Sequence, residues 1–213
     1  MKIFSYYRSS AAYRLRIALN LKGLSPESTF IHLRRGEQNS PAYRQINPFG
    51  LVPALEHEGR TLYQTVAIME YLEEIQPLPA LLPRAPWDRA YVRSIAMSIA
   101  CDIHPLNNLR VLKYLKETLA VESAQHDRWY AHWIKVGFSG LEALLSQEAR
   151  VGNFCFADAP TMADVCLVPQ VYNAERMNCD LDPYPTLRRV TANARAHVAF
   201  REAEPDRQSD AEK

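Results

Sequence analysis

The chain has 213 residues, 47% of them hydrophobic, which is enough for two modest domains or one large one with a proper core. Its 25 basic and 24 acidic residues leave a net charge of +1, so there is no electrostatic case for a nucleic-acid partner. The four cysteines are scattered and form no C-x-x-C pair, which predicts buried thiols in a reducing compartment and excludes a disulfide framework.

Neither a metal site nor a membrane segment is predicted. The six histidines show no zinc-binding spacing. The N-terminus is polar and carries arginine, unlike the apolar run of a signal peptide, and no apolar stretch approaches membrane-spanning length. We therefore expect a cytoplasmic protein that has no contact with a membrane.

The first part of the chain alternates strand and helix patterns. Strands are predicted at residues 3–6, 29–33, 52–56 and 60–63, and helices at 13–21, 41–46 and 65–75. Gly23 is expected to end the first helix, and Glu58-Gly59 to turn a hairpin. This order, βαβ followed by ββα, predicts a parallel pair of strands joined by a right-handed crossover through a helix, to which the hairpin adds antiparallel strands.

The second part of the chain is predicted to be helical. Residues 77–87 are rich in proline and are interpreted as a linker. Helical periodicity follows at 88–117, 122–148, 161–177 and 185–200, and the polar tail after Pro205 is expected to fray. Thr161-x-x-Asp164 has the pattern of a capping box. The predicted domains are therefore 1–76 (α/β) and 88–213 (all-α).

The segment around Ser9-Ser10 is the first candidate site. A strand leads into it and a helix leaves it, and this layout favours a bound anion such as a thiolate, because helix N-termini offer unpaired N–H groups. The alternative interpretation is that one serine only caps the helix. A second feature is Val52-Pro53, where the proline must begin or border a strand, and a cis bond would explain its place.

Several short motifs occur in one order from Lys2 to about Phe200. They are Arg8-Ser9-Ser10, Val52-Pro53-Ala54-Leu55, Gln64-Thr65-Val66-Ala67, His104-Pro105-Leu106-Asn107-Asn108, Ala159-Pro160-Thr161-Met162-Ala163-Asp164 and Val168-Pro169-Gln170-Val171-Tyr172-Asn173-Ala174-Glu175-Arg176. With these motifs the chain resembles a zeta-class glutathione transferase, the class that contains maleylacetoacetate and maleylpyruvate isomerases. The resemblance implies an α/β thioredoxin-like N-terminal domain plus an all-α C-terminal domain, glutathione as cofactor, and a homodimer.

The resemblance also implies roles for individual residues in the first domain. Ser9 and Ser10 are expected to stabilise the glutathione thiolate, with Ser10 as the hydrogen-bond donor and Ser9 as support. The backbone of Val52, held by its neighbouring proline, is expected to bind the cysteinyl part of glutathione. The glutamyl carboxylate suits the helix N-terminus at Gln64-Thr65, with Thr65 as the N-cap. The glutathione-binding residues implied in this way are Val52, Pro53, Gln64, Thr65, His104 and Asn108.

The implied substrate is a small dianionic keto-acid. Arg8 and Arg176 are expected to bind its carboxylates, because guanidinium groups suit bidentate recognition. His104 and Asn108, four residues apart, are expected to share a helix face towards the cleft. Arg110 is a third substrate-binding candidate, although it would point about 200° away from Asn108 on an ideal helix.

The expected reaction is glutathione-dependent cis–trans isomerisation of maleylpyruvate or maleylacetoacetate by reversible thiolate addition. Many zeta-class members read Ser-Ser-Cys where this chain has Ala11 in third place, which counts against a reductive dehalogenase and not against an isomerase. Two alternatives remain: a general glutathione transferase or peroxidase, and a non-catalytic glutathione-binding module. A tyrosine donor is also open, since three tyrosines lie near the serines: Tyr6, Tyr7 and Tyr13.

Overall fold

The computed structural model describes residues 1–212 and contains two compact units. The first unit comprises Met1–Leu81 together with the chain from Ala196 onward, and the second comprises Leu82–Arg195. The first holds a four-stranded mixed sheet with helices, whereas residues 82–195 form helices and no strand. The predicted fold class, an α/β domain followed by helices, is confirmed.

The sheet has the order β2-β1-β3-β4. Its strands are β1 (Lys2–Ser5), β2 (Glu27–Phe30), β3 (Ala54–His57) and β4 (Arg60–Tyr63). β1 pairs with β2 in parallel and β3 pairs with β4 antiparallel, as predicted, and β1 also pairs with β3 antiparallel. β3 starts two residues later than predicted, since Pro53 has no N–H for the ladder. The Val52–Pro53 peptide bond is cis.

The helices of residues 1–81 are α1 (Ser10–Leu21), α2 (Pro41–Ile46) and α3 (Thr65–Ile75). α1 connects the parallel strands and ends where Gly23 adopts a left-handed conformation, with φ of 67°. Lys22 at the end of α1 donates hydrogen bonds to Glu73 of α3 and to the carbonyls of Gln76 and Pro79. These contacts join the C-terminal ends of both helices.

The second unit contains α4 (Pro86–Met97), α5 (Leu109–Glu117), α6 (Ser123–Gln147), α7 (Met162–Arg176) and α8 (Pro185–Ala196). The prediction of one helix over 88–117 is wrong. A π-helical turn, Ser98–Ile103, and a 3-10 turn, His104–Asn107, separate α4 from α5. Pro105 cannot donate to a helical carbonyl, which favours the break.

The predicted capping box at the start of α7 is confirmed. The carboxylate of Asp164 accepts hydrogen bonds from the backbone N–H of Thr161 at 2.8 Å and from that of Cys155 at 2.7 Å. Burial raises the pKa of Asp164, while these hydrogen bonds oppose the shift. The motif therefore holds together the start of α7 and the loop before it.

The C-terminal segment differs most from expectation. Residues from Ala196, predicted as part of the helical domain, pack on the first unit and form α9 (Val198–Arg201) and a 3-10 turn, Pro205–Arg207. Asn20 of α1 donates to the carbonyl of Ala199 at 2.9 Å. The tail beyond is not frayed, because Asp210 accepts a hydrogen bond from the backbone N–H of Tyr7 at 2.9 Å.

Within residues 1–212, no helix has both the length and the apolar character that crossing a bilayer requires. The same residues include no group of three or more His, Cys, Asp or Glu side chains that could hold a metal ion. All four cysteines are free thiols.

Candidate active site

The three candidate segments of the first unit leave the sheet at one end. β1 leads into the turn 6–9, Val52-Pro53 comes directly before β3, and Gln64-Thr65 directly follows β4. Because β3 is antiparallel to both neighbours, the end of β1, the start of β3 and the end of β4 coincide, with Phe4 opposite Ala54 and Ala54 opposite Tyr63. We call this the Ser9 end of the sheet.

The order of the strands also sets the spacing of these segments. Neighbouring strands lie about 4.8 Å apart, so the three segments span about 10 Å. That span matches a fully extended peptide of about three residues. The Ser9 end of the sheet can therefore contact a tripeptide along its whole length, with Val52 between the other two segments.

A tight turn presents Arg8 and Ser9. The N–H of Ser9 donates to the carbonyl of Tyr6 at 3.0 Å and closes the turn. The buried guanidinium of Arg16 donates to the carbonyls of Tyr6 at 3.4 Å and Tyr7 at 2.9 Å. Charge-assisted hydrogen bonds of this kind are the stronger ones, so the turn has a fixed backbone.

Ser9 is the N-cap of α1. Its Oγ accepts a hydrogen bond from the N–H of Ala12 at 3.2 Å, as the capping interpretation predicts. The hydroxyl proton of a capping serine remains a donor, so the cap does not exclude the functional interpretation. Ser10 is the first residue of α1 and is buried, whereas Ser9 is half-buried. No acidic residue in the first turn of α1 offsets its dipole.

The hydroxyl groups of three nearby tyrosines are the alternatives to Ser9 as the donor to a thiolate. The hydroxyl of Tyr7 donates to Glu212 at 3.3 Å. Tyr6 and Tyr13 are buried, and burial raises the pKa of Tyr6 to about 12. Among these groups, Ser9 combines the greatest exposure with a place at the N-terminus of α1.

The loop before β3 fixes the backbone of Val52. The carbonyl of Leu51 accepts hydrogen bonds from Tyr43 Oη and from Asn47 Nδ2, both at 2.7 Å. The Leu51–Val52 peptide is trans, so its N–H points away from these two side chains. Burial raises the pKa of Tyr43 to about 12, which keeps its hydroxyl a donor. Tyr43 and Asn47 therefore orient the amide that is expected to meet the ligand.

The N-terminus of α3 is open to an anion. The N-cap is Gln64, with φ of 68°, and the predicted N-cap Thr65 is wrong, since Thr65 is already the first helical residue. Gln64 makes no capping hydrogen bond through its side chain, and the first turn contains no acid. The first N–H groups of α3 therefore have no capping side chain, and the helix dipole favours a carboxylate there.

In the second unit, the structure brings His104 and Asn108 together. Nε2 of His104 lies 3.3 Å from Nδ2 of Asn108. The predicted shared helix face is wrong, because a 3-10 turn ends at Asn107 and Asn108 caps α5 by accepting a hydrogen bond from the N–H of Arg110 at 3.1 Å. The expected 200° offset of Arg110 does not apply either, since Asn108 lies before the helix.

No carboxylate pairs with Arg8, Arg110 or Arg176 within residues 1–212. Arg176 is exposed at the end of α7, and Arg110 is exposed near the start of α5. The neighbouring carboxylate, Glu175, is bound by Arg195 through two hydrogen bonds of 2.8 and 2.7 Å. The charge of Arg176 remains available for a ligand.

Four residues that shape the first unit's site lie outside the predicted set: Arg16, Tyr43, Asn47 and Asp210. Their side chains bind backbone groups of the protein itself, so none of them belongs to a sequence motif that is typical of a ligand-binding site. The one available signal was Arg14-Leu15-Arg16, where charged residues interrupt a helix that must bury most of its surface.

Comparisons with known proteins show the family to which the chain belongs. Residues 8–75 match the family model described as glutathione S-transferase, N-terminal domain. A probable maleylacetoacetate isomerase of Vibrio cholerae is 48% identical over 211 residues, covering 98% of this chain and 97% of that protein. A holo structure of maleylpyruvate isomerase, described as a bacterial zeta-class glutathione S-transferase, is 45% identical, with 100% of both chains covered and a TM-score of 0.97. Maleylacetoacetate isomerase from Methylobacterium extorquens AM1, with bound malonate and glutathione, is 39% identical, with 100% of both chains covered and a TM-score of 0.96.

Proposed function

This chain belongs to the zeta class of glutathione transferases, and we propose that it is a glutathione-dependent cis–trans isomerase of maleylpyruvate or maleylacetoacetate. The observation that carries this proposal is the Ser9 end of the sheet. There, a serine that caps α1 and keeps its hydroxyl proton, an oriented backbone amide and an open helix N-terminus lie side by side, and they suit the sulfur, the cysteinyl backbone and the glutamyl carboxylate of glutathione, respectively.

The residues of the first unit fit glutathione. The open N-terminus of α3 at Gln64-Thr65 suits the glutamyl carboxylate, and the amide of Val52 suits the cysteinyl backbone. Ser9 then donates its hydroxyl proton to the sulfur, and the uncompensated dipole of α1 stabilises the negative charge. When bound, glutathione supplies a thiolate that adds to the electron-poor double bond and is eliminated after rotation.

Two arginines support a dianionic substrate, because each could bind one of its carboxylates. Arg8 in the first unit and Arg176 in the second have no carboxylate partner among residues 1–212, and a guanidinium group binds a carboxylate in a bidentate manner. Arg110 is a third candidate of the same kind. The relative from Methylobacterium extorquens was solved with bound malonate, a dicarboxylate, and glutathione. His104 and Asn108 are proposed as further glutathione contacts.

The proposal includes a homodimer in the cytoplasm. The free thiols at all four cysteines support a reducing compartment. Light scattering coupled to size-exclusion chromatography measures the mass in solution, and a mass of one chain would contradict the dimer.

The test is the loss of maleylpyruvate absorbance, and separately of maleylacetoacetate absorbance, with and without glutathione. Rapid turnover of either compound that strictly requires glutathione supports the proposal and identifies the substrate. Glutathione binding without turnover of either compound contradicts it. Turnover of neutral electrophiles alone would then indicate a general transferase, and none at all a binding module.

Arg176→Met is expected to raise KM for the dianionic substrate about tenfold, since a charge-assisted hydrogen-bonded contact contributes about 1.5 kcal/mol or more. Arg188→Met is the matched control, because Arg188 lies in the same unit and pairs with Asp182 at the surface. Steady-state kinetics with the keto-acid and with a neutral electrophile check the result. A similar loss with both substrates would contradict a role in carboxylate binding.

Asn47→Ala is expected to raise KM for glutathione about three- to tenfold while kcat changes little, because one or two net hydrogen bonds are lost from the loop before Val52. The variant removes the bond to the carbonyl of Leu51 and the 3.0 Å bond from the N–H of Phe49. Asn39→Ala is the control, since Asn39 is exposed and its side chain accepts a hydrogen bond from Arg44. Unchanged glutathione affinity in the folded Asn47 variant would show that the orientation of this amide is unimportant.

A further inference from the structure

The C-terminal tail, by which we mean residues 203–212, reaches the Ser9 end of the sheet. β1 and β2 are parallel, so the residues that follow both strands emerge at this end. The tail contacts residues after each of them: Tyr7 after β1, and His32 after β2. The end of the chain therefore lies beside the turn that carries Arg8 and Ser9.

Asp210 completes the hydrogen bonding of that turn. Arg16 binds the carbonyls of Tyr6 and Tyr7, and Asp210 Oδ2 accepts from the N–H of Tyr7 at 2.9 Å. Arg16 also donates to the carbonyl of Ala203 at 3.0 Å, which ties the start of the tail to the same guanidinium. The carbonyl groups of the turn are thus bound by Arg16 of α1, and the N–H of Tyr7 is bound by Asp210 of the C-terminal tail.

Glu212 anchors the tail. Its carboxylate lies 2.7 Å from His32 Nε2, and accepts from Tyr7 Oη and Arg34, each at 3.3 Å. The contact with His32 has the largest effect in holding the pKa of Glu212 below its usual range. Between the two acids, Ala211 packs against the buried cluster that contains Tyr7 and Val52.

We propose that Asp210 is a positioning residue of the active site, which fixes Ser9 through the backbone of Tyr7, and that Glu212 anchors the tail for this role. This inference rests on the proposed glutathione chemistry. The side chain of Asp210 binds the backbone of Tyr7, whereas the proposed glutathione anchors Val52 and Gln64-Thr65 lie on other segments. Its loss should therefore raise the thiol pKa and leave the affinity for S-methylglutathione, which has no ionisable thiol, nearly unchanged, whereas a general loosening of the fold would weaken both.

The experiment compares Asp210→Ala with Asp206→Ala, an exposed aspartate of the same segment, and with Asp210→Asn, which keeps an acceptor oxygen. The pKa of bound glutathione is measured by thiolate absorbance in the binary complex, and kcat and KM are measured with the keto-acid. For Asp210→Ala we expect a thiol pKa about one unit higher, kcat about tenfold lower, and a Kd for S-methylglutathione within about twofold. The Asn variant should recover most of the loss, and Asp206→Ala should match the unmodified protein.

Two results would overturn the inference. One is an Asp210→Ala protein with the thiol pKa of the Asp206→Ala control. The other is a rise in the Kd for S-methylglutathione as large as the fall in kcat, together with a lower melting temperature. If the unmodified protein binds glutathione but isomerises neither keto-acid, the isomerase proposal fails, and the thiol pKa in the binary complex still decides the role of Asp210.

Discussion

Ser9→Ala is expected to lower kcat about 100-fold, because a hydrogen bond to a charged group contributes about 1.5–3 kcal/mol. The variant removes the hydroxyl at the N-terminus of α1, and with it the capping bond to Ala12. At neutral pH the thiol of bound glutathione would then be largely protonated. Thiolate absorbance as a function of pH should show a thiol pKa that is about two units higher than in the unmodified protein.

Three further variants separate the donor from the cap. Ser9→Gly costs only a few tenths of a kcal/mol in capping, so its loss of activity reports the missing donor. Ser9→Thr keeps both functions and should retain most of the activity. Ser10→Ala is the matched neighbour, because Ser10 is buried as the first residue of α1. A larger loss at Ser10 than at Ser9 would contradict the assignment of Ser9 and restore the predicted order of the two serines.

The sequence was sufficient to predict the strands of a mixed sheet, because strand and turn patterns lie within short stretches of the chain. The hairpin turn at Glu58-Gly59 and the crossover through α1 restrict the strand order to a few topologies, and the observed pairings follow. Periodicity failed for the helix predicted over 88–117, since apolar spacing continues through the π-helical and 3-10 turns that break it. A shared helix face was predicted for His104 and Asn108, whereas the structure brings them together through a 3-10 turn and the N-cap of α5.

The site was predictable only where a residue acts through its local geometry. Ser9 and Gln64-Thr65 lie at helix N-termini, and helix starts can be read from sequence. Asp210 binds the turn at Tyr7, 203 residues away, and Arg16, which binds the same turn, also donates to the carbonyl of Ala203, 187 residues away; no local pattern encodes such pairs. The tail was expected to fray because its polar composition was considered without those partners.

Lys22→Met is expected to lower the free energy of unfolding by about 3–5 kcal/mol, because removing one member of a buried ion pair leaves the other charge without compensation. The Lys22 side chain is 0% exposed, and its ammonium donates to Glu73 and to the carbonyls of Gln76 and Pro79, both at 2.7 Å. All three ammonium donors are therefore used. Denaturant unfolding at a fixed protein concentration measures the change.

Two controls test whether the buried charge is the cause. Lys2→Met removes a pair with Glu27 whose side chains are 34% and 70% exposed, and surface pairs of this kind contribute about 0–1 kcal/mol. Lys22→Met combined with Glu73→Gln should recover part of the loss, since glutamine is neutral and can still accept from the N–H of Leu81, which Glu73 binds at 2.9 Å. A double variant no more stable than Lys22→Met would show that lost hydrogen bonds, and not an uncompensated carboxylate, destabilise the junction of α1 and α3.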